Sequence, residues 1–278
     1  MTKTAPSGGR GDLIDQVMVV VRRDLATEVS YQYSFAMRYV SIFFSIAIFY
    51  FVSLLVGEST QLGEYSGRYF EFALVGLVMS GMTSVSLQTF NQAVGTEMGS
   101  GTLEILLATA SRYLPIFLGS LVVPILLRFV EAVLYIGLGV GVLGAGFSGR
   151  GILLSLPLVL LAIAAFSALG MLASSFVILT KRGDPITGLV AQATNLLAGV
   201  LFPISLLPEG LQVVSKLIPT YYALRGVREV LLNGSGFDEV VDEVAVLAGF
   251  TVVLVPIALW AFSRAIRLAK QTGTLGTS

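Results

Sequence analysis

Arg128 and Glu131 stand three residues apart inside an otherwise apolar run, VVPILLRFVEAVLYIGLG. On a helix that spacing puts both side chains on one face, where they can pair. An unpaired charge at the centre of a bilayer costs about 2.5–3.5 kcal/mol on insertion scales, so the two have reason to be together. Two uses fit them: a polar wall on a substrate path or interface, or a structural pair that neutralises itself. Other chemistry is scarce. The chain has no cysteine and no histidine, which removes disulfides, thiolate nucleophiles, imidazole bases and the usual zinc ligands. No G-x-S-x-G and no paired intramembrane aspartates occur, so a membrane hydrolase has nothing to work with. No G-x-x-x-x-G-K-[ST] occurs either, so the chain is not expected to hydrolyse ATP, and neither catalytic nor metal-ligating residues are expected.

A second group of informative residues lies in GTEMGSGTLEILL, residues 95–107. Gly99 and Gly101 free the chain from whatever helix precedes them, Thr102 can cap a new one, and Glu104 suits the positive end of its dipole. Leu103, Leu106 and Leu107 then form an apolar face on a helix of about two turns, well short of the ~12–15 residues at which an isolated helix is even marginal in water. Such a helix must dock. Its seat is either a groove in a soluble partner or the neighbouring loops of the same chain.

The elements that hold these residues follow from composition. Of 278 residues, 55% are hydrophobic and 12% charged, and the mean hydropathy is +0.86, whereas a soluble domain carries roughly 25% charged residues. Basic and acidic residues balance at 17 each, so nothing draws the chain as a whole to nucleic acid. A spanning helix needs about 20 mostly apolar residues, and six segments qualify: about 39–56, 70–90, 114–143, 152–179, 186–207 and 242–263. The expected fold is an all-α membrane protein, one transmembrane domain over residues 1–278, with both termini on one side. Lys3, Arg10, Arg22, Arg23, Arg38, Arg112, Lys181, Arg182, Arg264, Arg267 and Lys270 fall on the terminal side, against Arg68, Arg150, Lys216, Arg225 and Arg228 opposite. That bias makes both termini, and residues 91–113, cytoplasmic. The start, MTKTAPSGGRGD, lacks an apolar core with a small-residue cleavage site, so no signal peptide is expected.

Three further features complete the plan. Leu13, Ile14, Val17, Met18, Val21 and Leu25 recur at helical spacing, which predicts an amphipathic helix over 12–34, lying on the inner membrane surface or packed against cytoplasmic parts of the chain. Gly137 and Gly141, four apart in the third segment, predict a close helix approach. Between the fifth and sixth segments, residues 203–235 hold two short apolar stripes punctuated by Pro208 and Pro219. They predict a re-entrant hairpin in the outer leaflet, either a gate or a static cap.

The run from Glu97 to Leu107 resembles the E-x-x-x-G-T-L-E-x-L-L signature of ABC-2 type permeases, the membrane halves of a class of ABC transporters. The resemblance implies that residues 95–108 form a coupling helix seated in an ATP-binding subunit, with Glu97, Gly101, Thr102, Leu103, Glu104, Leu106 and Leu107 as docking residues. It extends to an order of residues near the fifth segment: Phe202, Pro203, Leu207, Pro208, Leu211, Pro219 and Arg225. Of these, Phe202, Pro203, Pro208, Pro219 and Arg225 are the candidate outer gate. One departure is Ala108-Thr-Ala-Ser111, where the family often has a proline.

Carried to function, the resemblance implies a permease subunit of an ATP-driven exporter in a bacterial or archaeal cell membrane. Its partners would be two ABC ATPase subunits, which bind the ATP and Mg, a second copy of the permease, and membrane lipid. The path would run between spans one, two and five of the two copies, with Phe43, Phe44, Phe49, Asn195, Arg128 and Glu131 as candidate lining. Apolar and aromatic walls suit a lipid or drug. The alternative cargo is a lipid-linked polysaccharide or glycan, and an enzyme or scaffold without an ATPase is the remote alternative.

Overall fold

The computed structural model describes residues 10–30, 32–57, 65–99, 101, 114–180 and 186–271. Among them the chain is almost all helical and contains no strand. The helices are α1 (Arg10–Ser30), α2 (Gln32–Val56), α3 (Tyr69–Gly99), α4 (Leu114–Leu143), α5 (Gly149–Thr180), α6 (Ile186–Leu197), α7 (Glu209–Ser215), α8 (Pro219–Arg228) and α9 (Val241–Gln271). A single π turn, Glu229–Asn233, continues α8. Among the described residues, five helical stretches are long and apolar enough to cross a membrane: Met37–Val56, Tyr69–Gly99, Pro115–Leu143, Gly149–Thr180 and Phe237–Gln271.

Helix α3 is the least apolar of the five and the most deeply buried, and the two facts share a cause. Hydrocarbon cannot satisfy a hydroxyl, so a helix carrying several is best placed inside the bundle. Thr83, Ser86 and Thr89 donate to the carbonyls of Met79, Met82 and Val85 at 2.9, 2.8 and 2.8 Å. Thr83 and Ser86 are buried, as is Phe90 one turn on, where its ring meets Phe262 of α9 edge-on. Helix α5 crosses α3 at a backbone contact: a Cβ built on Gly170 would lie 2.3 Å from the Leu87 carbonyl oxygen. Helix α9 lies along α5, and α4 closes the other side of α3. Among the described residues three apolar clusters result, one around Phe72, Met79, Leu158 and Leu224, a second around Phe90, Phe117, Ala168 and Phe262, and a smaller one around Ile42, Ile46, Phe70 and Leu74.

Several expectations are refined. Residues 186–207 are not one continuous helix: α6 has 12 residues, about 18 Å long, and ends at a turn where Gly199 takes φ +74. Among the described residues a Cβ added at Gly137 or Gly141 would meet nothing within 4 Å; it is Gly139, between them, that comes against Leu74. Helix α1 exists and leans on α4, with Val20 buried and a Gly119 Cβ only 3.2 Å from its side chain, while Met18 and Val19 stay exposed. Two short helices, α7 and α8, occupy the hairpin region as its two stripes predict. Leu224, Val227 and Leu231 are buried against the bundle, but Leu211 and Val214 of the first stripe face outward.

Candidate functional site

Helix α3 links the two ends of the bundle at which site residues were expected. At its far end Glu97 is half-buried in the last turn. Gly101 follows, with its N–H donating to the Met98 carbonyl at 3.2 Å and φ +68, a left-handed turn that glycine adopts without strain. The chain thus leaves α3 through Gly101 as the sequence requires. Thr102, Leu103, Glu104, Leu106 and Leu107 lie outside the described residues.

At the other end the proline-punctuated segment is built by simple rules. Pro203 and Pro208 are extended and each precedes a short helical piece, and Pro219 is the first residue of α8, where its missing N–H leaves nothing unsatisfied. Phe202 and Pro203 are half-buried, Pro208 exposed and Pro219 buried. Arg225, 62% exposed at its side chain, pairs with the buried carboxylate of Glu243 on α9 at 3.2 Å. These residues therefore share the segment of two short helices between α6 and α9, tied to α9 by that pair.

The residue that fixes the hairpin most firmly is Arg228, which sequence reasoning counted only as an outer-side charge. It is 5% exposed. One Nη donates to the Gly199 carbonyl at 2.8 Å, the other to Val200 and Phe72 at 2.9 and 3.2 Å. The guanidinium carbon lies 3.4 Å from the centre of the Phe72 ring. Burial pulls its pKa down to about 9, with the Tyr65 hydroxyl acting against the shift. The carbonyls left over where α6 breaks are therefore capped by a side chain of α8, and α3 is bound into the same junction. Gly76 makes this possible, since a Cβ there would lie 2.0 Å from the Val200 oxygen. No local sequence signal linked Arg228 to a helix break 29 residues earlier in the chain.

The candidate path residues divide into three places. Phe43 and Phe44 point away from the chain on α2, with ring centres 6.1 Å apart, and Phe49 is half-buried on another face. Asn195 of α6 accepts a hydrogen bond from Ser80 of α3 at 2.6 Å. Arg128 and Glu131 form the expected pair at 2.6 Å, and a third member joins: Arg38 of α2 lies 3.6 Å from the other carboxylate oxygen. Within one chain, then, α2's phenylalanines and Asn195 serve different surfaces, whereas the charged trio bridges α2 and α4.

A family model described as ABC-2 type transporter matches residues 15–232. Two curated relatives are both named Nodulation protein J. That of Rhizobium leguminosarum bv. trifolii is 26% identical over 211 residues, covering 74% of this chain and 78% of the relative. That of Rhizobium leguminosarum bv. viciae is also 26% identical over 211 residues, covering 74% and 79%. The family is one of membrane transport subunits that are not themselves catalytic. With apolar helices stacked around α3, a proline-broken hairpin at one end and the Glu97–Gly101 exit at the other, the chain belongs to the ABC-2 type transporter family.

Proposed function

We propose that this chain is the membrane-spanning subunit of an ATP-driven exporter, moving a hydrophobic or amphiphilic substrate out of the cytoplasm or inner leaflet. Two ABC ATPase subunits supply ATP and Mg, and a second copy of the chain completes the path. Residues 1–278 form one transmembrane domain. Six crossings serve it, the fifth made in two pieces by α6 and the segment that turns at Gly199, and both termini are cytoplasmic. The coupling helix falls in the part of 95–108 that follows Gly101, since residues 95–99 are the end of α3, and 203–235 form the outer re-entrant hairpin.

The observation that carries this reading is the exit of α3. A helix of 31 residues ends at Gly99, the chain turns left-handed at Gly101, and the leucine-rich segment 102–107 follows in sequence. A push on that segment is thereby delivered to the most deeply buried helix of the bundle. The test uses the reconstituted complex. Glu104→Ala and Leu106→Asp should leave membrane insertion intact while weakening ATPase attachment or uncoupling hydrolysis from transport. Substrate-stimulated hydrolysis at the normal rate in both variants overturns the reading, as does purification of the permease without a stoichiometric ATPase. Export of a lipid-linked glycan is favoured over a lipid or drug where the attached ATPase carries an extra carbohydrate-binding domain.

A further inference from the structure

The charged trio does more than neutralise itself. Arg38, Arg128 and the α3 side chains Ser84, Gln88, Thr89 and Gln92 line a cavity of about 230 Å³ between α2, α3 and α4. At ~30 Å³ per water in the liquid, that is room for several waters or one tetrahedral oxyanion. A second cavity of about 190 Å³ shares Thr89 and Gln92 and continues to Arg23 and Glu97. Together they form a polar cleft along one side of α3, leading to the end of the bundle where that helix stops.

The arrangement of charge is directional. The side chain of Glu131 is 6% exposed, whereas those of Arg38 and Arg128 are 34% and 36% exposed. The carboxylate sits behind and draws together two guanidinium groups from different helices, and it is not among the residues that line the cleft. What the 230 Å³ cavity presents is a pair of forked cations facing amide and hydroxyl groups, while the adjoining cavity adds Arg23 beside the carboxylates of Asp24 and Glu97. Arginine's planar donors match phosphate oxygens two at a time, and charge-assisted bonds of this kind strengthen away from bulk water. Gln88 and Gln92, whose amides approach at 3.5 Å, can supply neutral donors from the opposite wall.

We infer that this cleft is a phosphate-binding site, its ligand arriving either as the headgroup of an anionic lipid or as free phosphate. The transport reading gives such a ligand its place, since it assigns Arg128 and Glu131 to the substrate path. The inference rests on that reading only for the movement of the ligand once it is bound. The test therefore begins without the ATPase. The detergent-purified permease is titrated with phosphatidylglycerol, with diacylglycerol as the phosphate-free control, and lipid adducts are counted by native mass spectrometry.

Wild type should take up one phosphatidylglycerol saturably and bind diacylglycerol no better than background. Arg38→Gln and Arg128→Gln should each weaken binding tenfold or more, and Arg38→Lys and Arg128→Lys should recover part of it. Gln88→Leu combined with Gln92→Leu removes the facing wall with both charges in place and should weaken binding several-fold. Arg267→Gln, on an exposed arginine of α9 that lines neither cavity, should bind as wild type. Variants are scored where their thermal melting matches wild type. Displacement of the lipid by inorganic phosphate would identify a site that takes the ion itself; binding of the lipid without displacement would identify a headgroup site, and either supports phosphate recognition. Equal binding by wild type and every cleft variant, or equal affinity for diacylglycerol, overturns it. Saturable lipid binding in a complex that shows no ATP-driven movement counts against the transport reading alone, and movement with variant-insensitive lipid binding counts against the site alone.

Discussion

At the residue scale the two hairpin arginines have opposite weights. Arg225 fits the family order and lies 62% exposed, reaching from the surface to a Glu243 carboxylate that is 8% exposed. Arg228 stands three residues later, is buried, and holds three carbonyl oxygens. Arg228→Leu strands those carbonyls and should lower stability by about 3 kcal/mol, while Arg225→Gln, which keeps a neutral donor beside the buried Glu243 carboxylate, should lower it by less. Thermal unfolding in detergent micelles compares the two. A similar melting temperature for both variants contradicts the clamp. The sequence made the charges visible but not their burial: three residues apart, Arg225 and Arg228 share a helix face by spacing alone, and only the packing of α8 against the broken end of α6 decides which of them is covered. The Arg128–Glu131 pair was legible because its partners are three residues apart. Arg38 was not, since it comes from a helix about ninety residues away in sequence and no local periodicity links the two.

At the element scale the sequence conveyed the type of each long helix and little of how they touch. Apolar length alone identified α2, α3, α4, α5 and α9 as spanning stretches. It also marked 186–207, but a run of apolar residues cannot report that Gly199 turns left-handed after twelve helical residues. Glycine pairing misled for a related reason: many glycines in this chain lie in apolar surroundings, and which of them meets a backbone is settled by tertiary packing. Gly170 meets the Leu87 carbonyl, whereas Gly141 faces open space within the chain. Gly170→Ala should therefore cost about 2 kcal/mol by forcing α3 and α5 apart, and Gly141→Ala should be neutral or slightly stabilising. Thermal unfolding again distinguishes them, and a tolerated Gly170→Ala would mean that this crossing is looser than its geometry.

At the scale of the whole molecule the uneven covering of the helices matters most. On α2 only Ile42 and Ile46 are fully buried among the described side chains, and Phe44 stands 61% exposed. In the proposed dimer, a helix so weakly held by its own chain is where the second copy would sit, and the absence of cysteine makes that easy to examine. Phe44→Cys should give a cross-linked dimer with a short bifunctional thiol reagent in membranes, whereas Trp260→Cys, 66% exposed on α9, should remain monomeric on a denaturing gel. Cross-linking at Trp260 instead would place the contact on the opposite flank. The close crossing of α3 and α5 has a last consequence. Leu87, where the two backbones touch, divides α3 unequally, into arms of about 18 Å toward Gly99 and about 27 Å toward Tyr69. A rigid rod resting on such a fulcrum behaves as a seesaw: a sideways displacement of about 2 Å at the short arm swings the long arm about 3 Å the opposite way.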